Sequence, residues 1–291
     1  MKMDAEFIRK SFRDLIQDEN FYYLYKHISI DPELHVFGVF TNNQLKYNFP
    51  VYFNDPFDCL FDIRIDADDF TQEECERVYG MKVPDSIWDL HSKNISERLN
   101  DQNLITEHIN TFRKAELTIT CFNSNPLSIL MWSHYANNHQ GMLLEFKIPK
   151  VNSLLEPIPV FYNDEYQTIN IPWQTFGNSE NESEFMSLLT RETVFRKSSE
   201  WSYEKEFRLI GDPSSNIESP LLQPYPPEYL SSVITGAKLQ DDVVVKKLNE
   251  EIEMFNIKHN LNIKVYKAQL KKGFYLLEVP NHPRLDEITD K

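Results

Sequence analysis

The sequence predicts an α+β fold, in which flanking helices pack on a largely antiparallel mixed sheet. Two observations support this prediction. Short apolar runs, such as 116–123, 141–148 and 201–211, have the length of strands and follow one another through short links. The stretch at about 70–116 is instead rich in Glu, Lys and Arg and carries helical patterns. We therefore expect a single domain, 1–291, with a helical insertion at about 70–116.

Apolar periodicity and turn formers define the individual elements. Strands are predicted at 21–30, 116–123, 141–148, 156–164, 201–211, 231–237 and 263–270. Helices are predicted at 5–18, 128–138, 183–197 and 241–256. The Asn-Asp-Pro-Phe-Asp stretch at 54–58 is rich in turn formers. Gly141 is expected to take the left-handed conformation that often ends a helix.

Composition narrows the class of protein. The chain has 291 residues and a formal net charge of −15, which is unfavourable for general binding of polyanions. Its three cysteines have no metal-site spacing, so we expect reduced thiols and a cytoplasmic location. The sequence contains neither a signal-peptide core nor an apolar run of about 18 residues, so no membrane partner is expected.

The stretch Trp-Ser-Tyr-Glu-Lys-Glu-Phe-Arg at 201–208 is the clearest candidate site. On a strand, Glu204, Glu206 and Arg208 would share one face, with about 7 Å between successive side chains. Two neighbouring acids raise each other's pKa and an arginine lowers it, which suits general acid–base chemistry or stabilisation of a cationic transition state. The alternative is the solvated face of an edge strand.

A second candidate is the crowding of Trp132, His134, Tyr135 and His139 just before a predicted strand. On a helix several of these side chains would share a face. They could line a cleft, or they could be core residues with a satisfied histidine. The two histidines lack the spacing of a zinc-binding helix, so no metal site is predicted.

Two further groups complete the candidates. Asn54 and Asp55 most simply form a turn in which Asp55 bonds its own backbone, although Asp58, just before an apolar strand, keeps a functional role open. Lys26 and His27 lie on the first predicted strand, where such residues are usually structural or exposed. Either side chain could also point into a cleft.

The order of these motifs resembles a widespread bacterial family that is catalogued as a domain of unknown function in the two-thousand-nine-hundred-and-seventy-one series. The resemblance rests on FNDPFD, on MWSHYA followed by a histidine and a glycine, and on W.YE.E.R, and it extends over about residues 21 to 275. The family has members in defence and toxin-like settings. The resemblance therefore implies a toxin or phage-defence effector, with a neutralising or regulatory protein as a possible partner.

The motif order is also similar to the layout of ADP-ribosyltransferases, which implies an enzyme that consumes NAD. By this resemblance Glu206 would bond the nicotinamide ribose and Glu204 would orient or deprotonate a nucleic-acid or protein acceptor. His27 would hold the adenosine ribose, and Arg208 would bind a phosphate or clamp the glutamates. The implied catalytic residues are Glu204, Glu206 and His134, and the implied NAD-binding residues are Lys26, His27, Asn54, Asp55, Trp132, Tyr135, His139 and Arg208; Tyr203 is a further candidate to stack on a ring.

Two other functions stay open at this point. In a metal-dependent nuclease, Asp55, Asp58, Glu204 and Glu206 would bind Mg²⁺ and His134 would assist, since carboxylates are the ligands that this cation prefers. In a non-enzymatic binding or sensor module, the same polar motifs would form a structural network of hydrogen bonds.

Overall fold

The computed structural model describes residues 18–31, 33, 35–66, 71–80, 82–111, 113–114, 117–165, 168–172, 190–211 and 222–286. These residues form an α+β fold around a mostly antiparallel sheet, as the sequence predicts. The helix predicted at 5–18 falls almost wholly outside the described residues, as does the first part of the helix predicted at 183–197. Within the described part of the chain, none of the helices is both long and apolar enough to cross a membrane.

The strands and helices are numbered in chain order. The strands are β1 Phe21–Ile28, β2 Gln44–Lys46, β3 Asp62–Asp66, β4 Thr118–Asn123, β5 Met142–Pro149, β6 Ile158–Pro159, β7 Phe161–Asn163, β8 Thr168–Pro172, β9 Arg196–Ser198, β10 Glu206–Gly211, β11 Leu222–Pro224, β12 Leu230–Thr235, β13 Lys264–Lys267, β14 Gln269–Leu270 and β15 Leu277–Glu278. The α-helices are α1 Gly38–Thr41, α2 Gln72–Tyr79, α3 Trp88–Leu99, α4 Gln102–Thr111, α5 Ile129–Tyr135 and α6 Asp242–His259.

The chain divides into two compact units. Unit 1 consists of Met1–Asn48, Ile119–Pro159 and Glu200–Lys291, and unit 2 consists of Phe49–Thr118 and Val160–Ser199. The helices expected at about 70–116 are present in unit 2 as α2, α3 and α4. Unit 2 also holds two short parallel strand pairs, β3 with β8 and β7 with β9. The single domain that the sequence predicts stays a prediction.

Unit 1 is built on a seven-stranded sheet in the order β13-β12-β5-β1-β4-β10-β6. The central strand β1 is antiparallel to both β4 and β5. The parallel pair of β12 and β13 is joined by the crossover helix α6, because parallel neighbours cannot be linked by a tight hairpin. A large apolar cluster that includes Leu24 and Phe207 forms one core, and a second cluster forms around Trp132.

The two faces of β1 explain where its polar residues lie. Side chains alternate along a strand, so Tyr25 and His27 share one face while Leu24 and Lys26 share the other. Tyr25 pairs with Asn123 of β4, and paired residues lie on the same face. His27 and Asn123 are therefore neighbours beneath helix α5, which carries Trp132.

The strand predicted at 201–211 is wrong in its first half. Ser199–Glu204 is a 3₁₀ helix, Lys205 has a left-handed φ of 45°, and β10 begins only at Glu206. The left-handed residue breaks the alternation between Glu204 and Glu206. The two carboxylates consequently do not stand in a row on one strand, because only Glu206 and Arg208 belong to it.

The predicted left-handed role of Gly141 is also wrong. The left-handed residues after α5 are Asn137, Asn138 and His139, with φ of 46°, 53° and 69°. Asparagine tolerates this conformation better than most residues, which explains the two adjacent amides in the sequence. Gly141 is needed for another reason: a Cβ there would lie 2.2 Å from the carbonyl oxygen of Ile28.

A buried polar network, which the sequence analysis did not identify, ties the end of the chain to the sheet. The carboxylate of Glu145 on β5 accepts hydrogen bonds from the hydroxyls of Tyr25 (3.1 Å) and Ser232 (2.8 Å). His282 Nε2 lies 3.3 Å and Arg284 Nε 3.4 Å from the same carboxylate. Burial alone would raise the pKa of Glu145, but His282, Ser232 and Arg284 together hold that pKa below its usual value.

Candidate functional site

The amide of Asn123 fixes the protonation of His27. Asn123 Oδ1 accepts the backbone N–H of Asn125 (3.1 Å), and its Nδ2 donates to the carbonyl of Tyr25 (2.8 Å) and to His27 Nδ1 (2.9 Å). Since Nδ1 accepts, the proton of the neutral ring sits on Nε2. That Nε2 is buried and has no hydrogen-bond partner among the described residues. His27 therefore presents an unused N–H donor.

The protonation of His139 is also fixed by a neighbour, but the nitrogen left over is an acceptor and not a donor. The hydroxyl of Ser133 donates its one proton to the carbonyl of Ile129 (2.9 Å), so its oxygen must accept from His139 Nε2 (3.2 Å). The remaining nitrogen of His139, Nδ1, carries a lone pair and finds no partner within the described part of the chain. The two histidines thus offer one spare donor and one spare acceptor.

Trp132 lies between these two rings and is a core residue. Its side chain is 0% exposed, and its Nε1 donates to the carbonyl of Pro126 (2.7 Å). The ring of His27 meets Trp132 edge-on with centroids 5.0 Å apart, and that of His139 is parallel to it at 6.2 Å. Both of its ring neighbours are protein rings and its side chain is fully buried, and the predicted stacking of Trp132 on a ligand stays a prediction.

Burial, and secondarily the proximity of His139, lowers the pKa of His27 to about 3. The pKa of His139 is also lowered, first by burial and then by Lys238. Between pH ~6.5 and pH 3, His27 binds a proton in the unfolded chain but stays neutral in the folded protein. Stability is therefore present above pH ~6.5 and is lost as the pH falls towards 3.

This linkage gives a measurable prediction for His27→Gln. Between pH 6 and 5 the free energy of unfolding of the wild type should fall more steeply than that of the variant, by up to about 1.4 kcal/mol per pH unit, since one proton is bound only on unfolding. Urea unfolding across this range measures both slopes. His35→Gln, at an exposed histidine, is the control. Equal slopes for His27→Gln and the wild type would contradict the neutral buried ring.

Glu204 is itself buried, but the side chains around it are partly or fully exposed. It is 3% exposed, and its carboxylate accepts a hydrogen bond from the hydroxyl of Tyr135 at the end of α5. The exposed His134 ring lies beside Tyr135, with centroids 6.3 Å apart, and beside Tyr203 at 6.2 Å. Trp201 follows at 6.0 Å from Tyr203. A buried carboxylate with partly exposed rings around it is a plausible setting for chemistry on a planar substrate.

Glu206 has a different environment. Arg208, which is 0% exposed, binds both of its oxygens, with Nε 2.7 Å from Oε1 and Nη2 3.1 Å from Oε2. Cys121 on the adjacent strand β4 also bonds Glu206, and burial, followed by this glutamate, raises the pKa of the thiol well above its usual value. Arg208 contacts Glu206 of the two glutamates, and the roles predicted for it in binding NAD stay predictions.

Lys26 lies on the face of the sheet opposite His27. Its Nζ donates to Thr120 Oγ1 (2.8 Å) and to the carbonyl of Cys121 (3.0 Å). Burial lowers its pKa, and the nearby Cys121 and Glu206 oppose this effect. Because side chains alternate along β1, Lys26 and His27 point to opposite faces, and the predicted role of each in binding NAD stays a prediction.

The predicted Asn54 and Asp55 belong to unit 2. Asp55 Oδ1 accepts the backbone N–H of Phe57 (2.9 Å), which is the turn that the sequence favours. Asp55 is buried and its Oδ2 has no partner among the described residues, whereas Asn54 is exposed. Asp58, one turn further, forms a buried ion pair with Lys197 at 3.6 Å.

The described residues contain one group of three potential metal ligands, formed by Asp31, Glu33 and His35. Its members are largely exposed, and Asp31 already caps a turn by accepting the backbone N–H groups of His35 and Val36. None of the four acids required by the nuclease hypothesis belongs to this group. The geometry of the described residues therefore gives that hypothesis no support.

Comparison with known proteins identifies a family and no activity. No curated protein matches the chain, and no solved structure matches it. One family model does match, over a segment that includes α5, β5 and most of β10. It is the family to which the sequence motifs pointed. Residues 131–209 match the model of the family described as Protein of unknown function (DUF2971).

Proposed function

We propose that this protein is an ADP-ribosyltransferase-like enzyme that consumes NAD as a substrate, with Glu204 as the carboxylate at the reacting centre. The observation that carries the proposal is the hydrogen bond from Tyr135 to the buried Glu204, next to the rings of His134 and Tyr203. The same helix bears Trp132, which packs on His27. Helix α5 thus connects the first-strand histidine with the late glutamate, the two positions that the transferase layout requires.

The chemistry requires a carboxylate near an electron-poor sugar carbon. In the transfer, the bond between ribose C1 and the nicotinamide nitrogen breaks, and its electron pair leaves with nicotinamide. A lone pair of the acceptor then bonds to C1, and the acceptor's proton passes to Glu204. A carboxylate stabilises the cationic character of C1 as it does in glycoside hydrolysis. The hydroxyl of Tyr135 orients Glu204 for this role.

The residues present fit the sugar end of NAD better than its pyrophosphate. The unused N–H of His27 is a donor for which a ribose hydroxyl is a suitable acceptor. The two cations predicted from the sequence are both engaged, Arg208 with Glu206 and Lys26 with Thr120 and a carbonyl. We therefore expect other groups to meet the phosphates.

We also assign the two glutamates differently from what the resemblance implies. Glu206 is held on both oxygens by Arg208, so we assign it to positioning the start of β10 next to Lys205. Glu204 accepts a hydrogen bond from the hydroxyl of Tyr135, which orients its carboxylate. This assignment puts the carboxylate at the reacting centre two residues earlier than the resemblance implies.

Glu204→Gln is the variant that tests the proposal. It keeps the shape of the side chain and removes its charge, so release of nicotinamide from NAD, followed in the presence of a cell lysate, should fall at least about 100-fold. Glu253→Gln, at an exposed glutamate of α6, should leave the rate unchanged. An unaltered rate in folded Glu204→Gln, or no NAD consumption by the wild type, would refute the assignment.

The same pair of proteins tests the proposed setting, which is that of a toxin or phage-defence effector. Expression of the wild type should slow the growth of its host or protect it from phage, and expression of Glu204→Gln should do neither. A neutralising or regulatory protein partner is proposed on the same ground. It would relieve the effect on growth when the two proteins are expressed together.

A further inference from the structure

The rings beside Glu204 form a continuous row, which we name the ring row and define as Trp201, Tyr203 and His134. Neighbouring ring centroids are 6.0 Å and 6.2 Å apart, with interplanar angles of 38° and 42°. His134 is exposed, and the other two are partly exposed. Single exposed aromatic residues need no explanation, but a contiguous row that is connected through Tyr135 to a buried carboxylate does.

We propose that the ring row binds a nucleobase and presents it to Glu204 as the acceptor. The inference rests on the proposed function for its chemistry, in that the proton lost by the base nitrogen passes to Glu204 while that nitrogen bonds to ribose C1. Aromatic side chains bind bases of any sequence because every base has a π-face. The base belongs either to a free nucleotide or to a single-stranded nucleic acid.

The geometry favours a base over a flat protein surface. The rings are tilted against one another, so each offers its own face instead of a common plane. Their spacing of about 6 Å is nearly twice the ~3.4 Å between neighbouring bases in a duplex strand, which suits bases that are drawn apart. The neighbouring Glu200, Ser202 and Lys205 are exposed, so the row has a polar side, and Leu130, one turn before His134 on α5, adds one exposed apolar side chain.

The net charge of the protein limits how strongly it can bind the phosphates of a nucleic acid. The chain carries a net charge of −15, and Lys205 is the exposed cation next to Glu204 in sequence. We therefore expect binding to come mainly from stacking and only to a small extent from contacts with phosphates. With about one phosphate neutralised, the affinity for a single strand should change only about two- to three-fold between 50 and 200 mM salt.

The probes are fluorescein-labelled single-stranded RNA and DNA octamers of mixed sequence and the four nucleoside monophosphates, all titrated without NAD. Binding of an octamer in preference to every monophosphate identifies single-stranded nucleic acid as the source, and the reverse order identifies a free nucleotide. Tyr203→Leu should weaken binding at least about 10-fold, and Tyr203→Phe, which keeps the ring, should restore it. Tyr275→Ala is the control, since Tyr275 is 98% exposed in the β14–β15 hairpin.

The outcomes separate this inference from the proposed function. If the protein consumes NAD in a reaction that needs Glu204 but binds none of the probes, the nucleobase site is overturned and the proposed enzymatic function is supported. Probe binding that needs the Tyr203 ring, without NAD consumption, supports the site and overturns the enzyme. Binding that Tyr203→Leu leaves intact, or a loss of affinity of several decades between 50 and 200 mM salt, also overturns the nucleobase site. Far-UV circular dichroism checks that Tyr203→Leu is folded, and Trp201→Leu is the second variant if it is not.

Discussion

Arg208→Met should lower the free energy of unfolding by about 3–5 kcal/mol, because it leaves the carboxylate of Glu206 buried without its counter-charge. Arg208 is fully buried, and it supplies two hydrogen bonds to Glu206. Methionine preserves much of the volume and the flexibility of the arginine side chain. The loss therefore reports the unpaired charge and not a cavity. Urea unfolding monitored by tryptophan fluorescence measures it.

A second substitution separates charge from packing. Glu206→Leu combined with Arg208→Met removes both charges together, and should recover most of the lost stability, since a buried pair replaced by apolar residues is often neutral. Lys93→Met is the matched control: Lys93 forms an exposed pair with Glu97 at 3.9 Å, and its loss should change stability by less than about 1 kcal/mol. If Arg208→Met lowered the free energy of unfolding no more than Lys93→Met does, the buried pair would contribute no more to stability than an exposed one.

Trp132→Ala should cost a similar amount, about 3–5 kcal/mol, through a cavity in the centre of unit 1. The substitution removes a fully buried ring, its hydrogen bond to Pro126 and its contacts with His27 and His139. Trp88→Ala, at a partly exposed tryptophan of α3, should cost less. Thermal and urea unfolding of the three proteins provide the comparison.

Trp132→Phe then tests whether this residue acts as core or as ligand contact. Phenylalanine keeps much of the apolar volume but loses the N–H, so stability should fall by less than in Trp132→Ala. Turnover of NAD per folded molecule should stay within a few-fold of the wild type, because the ring is fully buried. A protein of wild-type stability that had lost its turnover would reverse the conclusion.

The main strands could be predicted because their apolar runs are continuous. The run at 141–148 becomes β5, which lies between two other strands and is almost wholly buried, so apolar residues are needed on both of its faces. The helices at 70–116 could be predicted for the opposite reason. Their polar faces meet water, and one of them begins with the capping box of Thr71 and Glu74.

The sequence predicts which residues are candidates for the site better than it predicts how they are arranged. Nothing in the composition of 201–211 shows that Lys205 is left-handed, and this single residue moves Glu204 off the strand. Trp132 and Tyr135 are three positions apart on one helix, yet the first is core and the second reaches Glu204. The packing of α5 on the sheet, which local pattern does not encode, decides between them.

Glu145 was missed although the sequence held a signal. A lone acid within the apolar run Met142–Ile148 must be either a solvent-facing residue or a buried one with partners, and those partners come from distant parts of the chain. His282 lies more than a hundred residues away in sequence. A search for unmatched acids inside predicted central strands would have found the carboxylate, but not the groups that neutralise it.

The attachment of His282 and Arg284 to Glu145 bears on how the gene can be shortened. A stop codon placed before His282 would remove both of these basic partners of Glu145 at once. Here it would strand an ionised carboxylate in the middle of the seven-stranded sheet, with only hydroxyl partners left to it. Expression of a chain that stops before His282 should therefore yield insoluble material.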